Sequence, residues 1–198
     1  MKQNSLLQPL KEESFQKNTL ELAQALLGCV LVNETPDGIT SGVIVETEAY
    51  MGPGDRAAHS YSNKRTKRTE IMFGKSGLVY TYAMHTHCLV NVVSAGIDEP
   101  EAILIRAIEP YSGIELMQKR RPVDQMKNLT NGPGKLTKAM GISMKDYGKR
   151  FYERPLYIAE GIVPDEISIG KRIGIGGAGE AQDYPWRFWV KDSPYVSR

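Results

Sequence analysis

The sequence predicts an α+β fold: one domain over residues 1–198, built on a mainly antiparallel β-sheet with several flanking helices. Three observations predict it. Short runs rich in β-branched and aromatic residues recur along the chain, separated by Gly- and Pro-rich turns. Only a few segments carry the apolar spacing of a helix, and they are short. Composition is ordinary for a globular chain, 41% hydrophobic and 24% charged over 198 residues, with no internal repeat or interdomain linker.

Taken in order, Met1 to Lys17 is polar and reads as an N-terminal extension. Leucines at 20, 22, 26 and 27 predict an amphipathic helix over Thr19–Leu27, capped near Asn18 or Thr19 and stopped by Gly28. Val30–Asn33 and Gly42–Tyr50 read as strands joined through the turn residues Pro36-Asp37-Gly38. Gly52-Pro53-Gly54-Asp55 opens a loop that runs to about Ile71. Leu78–Tyr82, Cys88–Ser94 and Ala102–Ile108 are further strands, and Ile114–Arg120 and Leu136–Met140 read as helices. The remainder alternates short strands with turns, which together support the antiparallel α+β class.

Composition also excludes classes. No apolar run approaches the ~20 residues that span a bilayer, and the N-terminus lacks the apolar stretch of a secretory signal. Two cysteines, Cys29 and Cys88, do not make a disulfide framework, so a reducing cytoplasm is expected. A net charge of +2 does not announce a nucleic-acid partner. Its distribution says more, because basic residues cluster at Lys64–Arg68, Lys119–Arg121, Lys149-Arg150 and Lys171-Arg172. Such patches either converge on phosphates or lie on solvated loops.

The segment Ile44-Val45-Glu46-Thr47-Glu48-Ala49-Tyr50 is the most informative. Alternation along a strand puts Glu46, Glu48 and Tyr50 on one face, with Glu48 and Tyr50 about 6.5–7 Å apart. A planar ligand stacked on Tyr50 would then present its edge, or an attached sugar, to a carboxylate. The competing reading is a solvent-facing acidic strand with a tyrosine at its rim.

These residues continue into a set of segments that resembles the alkyladenine (3-methyladenine) DNA glycosylase family of monofunctional, mixed α/β type. They are Glu46–Tyr50, Asp55-Arg56-Ala57-Ala58-His59-Ser60, Met72–Gly77, Ile105–Pro110, Asn131-Gly132-Pro133-Gly134-Lys135-Leu136, Arg172–Ile175, Trp186-Arg187-Phe188 and Ser193–Ser197. The resemblance runs from about residue 19 to the end. It implies double-stranded DNA with a damaged base as partner, no cofactor, no metal and a monomer. It makes Glu48 the general base that activates a water, with Arg106 and the Ile173 carbonyl helping to hold it. An alkylated purine is already cationic and leaves readily, so one carboxylate suffices where other glycoside hydrolases use two. The flipped base is expected between Tyr50 on one side and His59 with Tyr82 on the other, with Asn91 discriminating against the exocyclic amino group of guanine. Met84, His85, Leu104, Arg121, Lys135 and Arg65 complete the set expected to contact DNA.

Residues outside that pattern stay open. Arg106 lies in an apolar strand, where a charge needs a partner; Glu46 and Glu109 compete with Glu48 for it. Tyr82-Ala83-Met84-His85-Thr86-His87-Cys88 lacks the tyrosine with which family members fill the vacated stack, which leaves Met84, or else His85, as the wedge. Asn131–Lys135 fails as a phosphate loop, since the glycine spacing is short and Leu136 stands where Ser or Thr is required; phosphate contact at a helix start survives. His85, His87 and Cys88 suggest zinc, but on a strand Cys88 would point away from the histidines. Three rivals remain: a non-catalytic nucleic-acid-binding module of formyltransferase-like fold, a metal-dependent hydrolase, and a glycosylase-lyase. The last needs an amine nucleophile, and no lysine adjoins Glu48.

Overall fold

The computed structural model describes residues 7–197. Its axis is β2, Gly38–Tyr50, a strand long enough to hold three neighbours. β1, Val30–Thr35, folds back on it through the two-residue turn Pro36-Asp37, pairing Val30 with Val43 through to Thr35 with Gly38. On the opposite edge β2 pairs with β5, Glu101–Ser112, followed outward by β4, His87–Ser94, and β3, Val79–Met84. β6, Leu156–Ala159, lies beside β1. β7, Ile167–Gly170, pairs with β8, Arg187–Val190, and β8 takes the edge of β2 at Glu46–Glu48. Every pairing among these described strands is antiparallel, so the predicted α+β domain is what forms.

Three short α-helices flank the sheet. α1, Thr19–Ala25, is capped by Asn18, whose side chain accepts from the Glu21 amide at 2.9 Å. Gly28 follows at φ +86°, where an added Cβ would sit 2.0 Å from the Ile162 carbonyl oxygen, so only glycine fits. α2 spans Ile114–Arg120 as read. α3, Pro133–Met140, begins three residues before the sequence expectation, because Pro133 serves as its first-turn residue.

Alternation divides the sheet into two working faces. Ile44, Ala49, Val79, Val90, Val92, Ile103 and Ile105 form one core with Leu22 and Leu26 of α1 and Leu136 and Met140 of α3. Glu48, Tyr50, Tyr80, Tyr82, Asn91, Leu104 and Arg106 lie on the other face. Of the stretch read as an extension, residues 1–6 lie outside the described residues. The rest runs along β6, where the Leu10 amide donates to the Ile158 carbonyl, and Phe15 enters the core fully buried. Among the described residues no helix is long and apolar enough to cross a membrane.

Candidate active site

The site begins at two register faults between β2 and β5. Ile44 lies opposite Ile108, Glu46 opposite Ala107 and Thr47 opposite Ile105. Val45 is thereby left over on one strand and Arg106 on the other. Bulges of this kind re-aim a side chain, and here Arg106 reaches between the two glutamates. Its Nη1 donates to Oε2 of Glu48 at 3.3 Å, and its Nε stands 3.3 Å from Oε1 of Glu46. Both glutamates are fully buried. The open question of the arginine's partner is therefore answered by Glu46 and Glu48 together, with Glu109 left exposed on the strand.

The two carboxylates are used differently. Glu46 also accepts from Arg187 Nε at 2.6 Å, from the Ser197 amide at 2.7 Å and from the Ser197 hydroxyl at 2.9 Å. That saturates it as an anchor for β8 and the C-terminal segment. Glu48 accepts three hydrogen bonds: from Arg106, from the Ile173 amide to Oε1 at 2.7 Å, and from the Tyr50 hydroxyl to Oε2 at 3.0 Å. A carboxylate offers about four lone-pair positions, so one remains, on Oε1. Burial pushes the Glu48 carboxyl above the usual range, while Arg106, the Ile173 amide and Tyr50 pull it back only in part. A base tuned upward from an ordinary carboxylate suits proton abstraction near neutral pH.

All three donors to Glu48 line one cavity of 210 Å³. It is smaller than the ~300–1,000 Å³ of drug-sized sites, and fits a single planar ring system better than an extended ligand. Tyr50, His59, Tyr82, Asn91 and Ile173, each expected in a base pocket, are brought together in its wall. His59 meets the Tyr82 ring edge-on at 4.6 Å, and its Nδ1 is 2.7 Å from the Tyr80 hydroxyl. Burial, and then the charge of Arg68, lower the His59 pKa to about 4, so this wall is uncharged at neutral pH. Asn91 donates from Nδ2 to the Tyr80 carbonyl at 3.0 Å, which holds its amide plane.

The residues expected to touch DNA separate. Leu104, only 2% exposed, lies off the outer surface and lines the cavity from β5, because alternation points it to the same side as Arg106. Met84 reaches both the cavity rim and solvent, 46% exposed at the tip of the β3–β4 hairpin. His85 occupies the hairpin turn at φ +52°, so it does not share a strand face with His87 as expected; both line a separate hollow with Cys88. Among the described residues no three His, Cys, Asp or Glu side chains group as metal ligands. Arg65 is engaged by Glu70 at 2.6 Å and Asp98 at 3.2 Å and lies over Phe73, so its charge is already balanced. Arg68, three residues on, instead stands 6.0 Å from the Tyr82 ring. Arg121 donates to the Asn128 carbonyl at 2.7 Å and Lys135 to Asn131 Oδ1 at 2.8 Å; burial, and then the charge of Arg121, lower the Lys135 pKa. Pro133, at the start of the helix that carries Lys135, lines the cavity.

Sequence reasoning missed the pair behind the pocket. Asp55 and Arg172 have fully buried side chains and meet bidentately at 2.5 and 2.8 Å. Both fall in the segments that carry the resemblance, yet a buried charge declares its partner only when the chain is folded. Tyr80 and Met72 likewise enter the cavity wall unanticipated.

Fold and cavity together define a class: an α+β protein in which the buried Glu48 carboxylate is held by three walls of an aromatic-lined cavity. Residues 13–194 match the family model described as Methylpurine-DNA glycosylase (MPG). A Bacillus licheniformis protein is 62% identical over 195 residues, covering 98% of this chain and 100% of the relative. A Bacillus subtilis protein is 63% identical over 190 residues (96% and 97%), and one from Listeria monocytogenes is 49% identical over 188 residues (94% and 91%). Each of the three bears the name "Putative 3-methyladenine DNA glycosylase". The chain belongs to the methylpurine-DNA glycosylase family: it is a DNA glycosylase, an enzyme of DNA repair that acts on DNA.

Proposed function

We propose that this enzyme flips an alkylated or deaminated purine out of duplex DNA into the 210 Å³ cavity and hydrolyses its bond to the sugar. The observation that carries the reading is the arrangement of Glu48, whose three hydrogen-bond donors are themselves walls of that cavity. The remaining lone pair on Oε1 takes a water, aided by the Ile173 main chain and Arg106. The water oxygen bonds to the sugar carbon, the glycosidic carbon–nitrogen bond breaks with its electron pair going to the base, and Glu48 takes the proton. An abasic site remains. General-base help of this kind is worth about 10²–10⁴-fold, and the same carboxylate stabilises positive charge developing on the sugar.

The aromatic walls supply recognition. Stacking is worth about 1–3 kcal/mol per base, and an electron-poor alkylpurine gains a cation–π contribution. A neutral His59 adds ring surface without repelling a cationic base. Substrates in this reading are 3-methyladenine and 7-methylguanine, with hypoxanthine and ethenoadenine as neutral candidates. Extrusion costs a few kcal/mol, least for damaged or mispaired bases.

The test is mass-spectrometric identification of bases released from a panel of alkylated and deaminated duplex oligonucleotides, with chelator present. Free 3-methyladenine and 7-methylguanine are expected, and Glu48→Gln should cut release by orders of magnitude while binding of the duplex persists. Undiminished release by Glu48→Gln would remove the proposed base. A covalent DNA adduct trapped by borohydride would replace hydrolysis with lyase chemistry.

A further inference from the structure

The buried pair Asp55–Arg172 packs against Tyr50, a wall of the cavity that neither residue of the pair lines itself. The Arg172 guanidinium carbon is 4.7 Å from the Tyr50 ring centre and 5.0 Å from that of Trp186, so it is layered between the two rings. Arg172 is not a wall of the cavity, whereas Tyr50 is. The guanidinium occupies one side of the ring, which leaves the opposite face as the surface on which a base would stack. Arg172 Nη1 also donates to the Ala49 carbonyl at 2.8 Å and Nη2 to the Ala181 carbonyl at 3.2 Å, while its buried Nε has no hydrogen-bond partner among the described residues. Asp55 in turn accepts from the amides of Met51 at 3.1 Å and Ala57 at 3.0 Å. The pair thus ties the end of β2, the loop that delivers His59 and the loop that delivers Ile173 to one point.

This placement has an electrostatic consequence. A base stacked at about 3.5–4 Å on the open face of Tyr50 lies about 8 Å from Arg172. An unbalanced guanidinium there, in a site closed to water, would repel a cationic purine and leave a neutral one untouched. At an effective dielectric constant near 20, two unit charges so separated alter a binding or rate constant by roughly tenfold or more. The Asp55 carboxylate, bidentate on the guanidinium, cancels that field at its source.

We infer that Asp55 and Arg172 form a charge-balanced positioning unit behind the stacking wall, and that its neutrality sets how well the pocket accepts positively charged lesions relative to neutral ones. The inference rests on the base-excision reading above and adds a determinant of lesion preference to it. Neither residue touches the substrate: Arg172 packs on Tyr50, and the net charge of the pair acts on the base across that ring.

The experiment compares single-turnover release of 7-methylguanine, which is cationic, with release of hypoxanthine, which is neutral, from otherwise identical duplexes. Asp55→Asn leaves Arg172 charged, since arginine does not deprotonate in proteins. It should lower 7-methylguanine release relative to hypoxanthine by about tenfold. Arg172→Gln removes the positive charge instead and should move the ratio the other way. Combining Asp55→Asn with Arg172→Gln should bring the ratio back near its native value, even if both rates fall. A purely structural role predicts equal losses on both lesions in every variant, and that result would overturn the inference. Should Asp55→Asn fail to fold by thermal melt, Arg172→Gln decides alone: a ratio unchanged or lowered refutes it. Native enzyme releasing neither base would instead sink the excision reading.

Discussion

The Tyr50 hydroxyl donates to Oε2 of Glu48 at 3.0 Å, from two residues further along the same face of β2. The phenol spans the gap that a strand leaves between alternate residues, so one side chain both walls the cavity and steadies the carboxylate. Burial, then the Glu48 charge, hold the Tyr50 pKa well above its ordinary value, so it stays a donor. Tyr50→Phe should keep the stacking surface and lose only this hydrogen bond. The Glu48 carboxyl, already raised by burial, would rise further. Because the proposed base works ionised, the acid limb of the rate–pH profile should move to higher pH, with little change on the plateau. A profile superimposable on the native one would show that the bond does not tune the base.

Arg106 serves two buried carboxylates at once. Arg106→Met should leave Glu48 without its cation and Glu46 with Arg187 and Ser197 alone. Breaking a buried pair typically costs about 3–5 kcal/mol, and chemical denaturation should show a loss of that order together with lost activity. A loss below about 1 kcal/mol, the range of exposed ion pairs, would mean that the cluster is not electrostatically coupled.

His59 gives the protein an acid sensitivity of its own. Its pKa is lowered to about 4 by burial and by Arg68, against 6.5 in an unperturbed side chain. The unfolded chain therefore takes up this proton first as pH falls, so the stability present above about pH 6.5 is lost progressively towards pH 4. His59→Phe should flatten the melting temperature against pH across that window. An unaltered slope would place the acid sensitivity elsewhere.

Met84 is half-exposed at the hairpin tip and touches the cavity rim; in the proposed reading it fills the space an extruded base leaves. Met84→Ala should reduce excision from a fully paired duplex by roughly tenfold, since unstacking and unpairing cost a few kcal/mol. Excision from a single-stranded oligonucleotide should change little. Equal losses on both substrates would assign Met84 to the pocket wall alone.

Several features were legible from the chain itself, because they depend on local order. Alternation along β2 puts Glu46, Glu48 and Tyr50 on one face, and the hairpin at Pro36-Asp37 and the Asn18 cap follow from turn and capping chemistry. Ordered segments from Glu46 to Ser197 pointed to the right family. Other features depended on distances between residues far apart in sequence. The bulge that aims Arg106 at both glutamates arises from how β2 and β5 slip past each other, which neither strand encodes alone. That Leu104 belongs to the cavity wall and not to the outer surface depends on how the sheet places its side of β5. The Asp55–Arg172 pair joins groups 117 residues apart. Sheet class and family were readable from the chain alone, since periodicity and motif order are properties of the chain. Only tertiary structure decided which buried charges meet, because the cost of burying an ion is met by whichever partner the completed fold brings within reach.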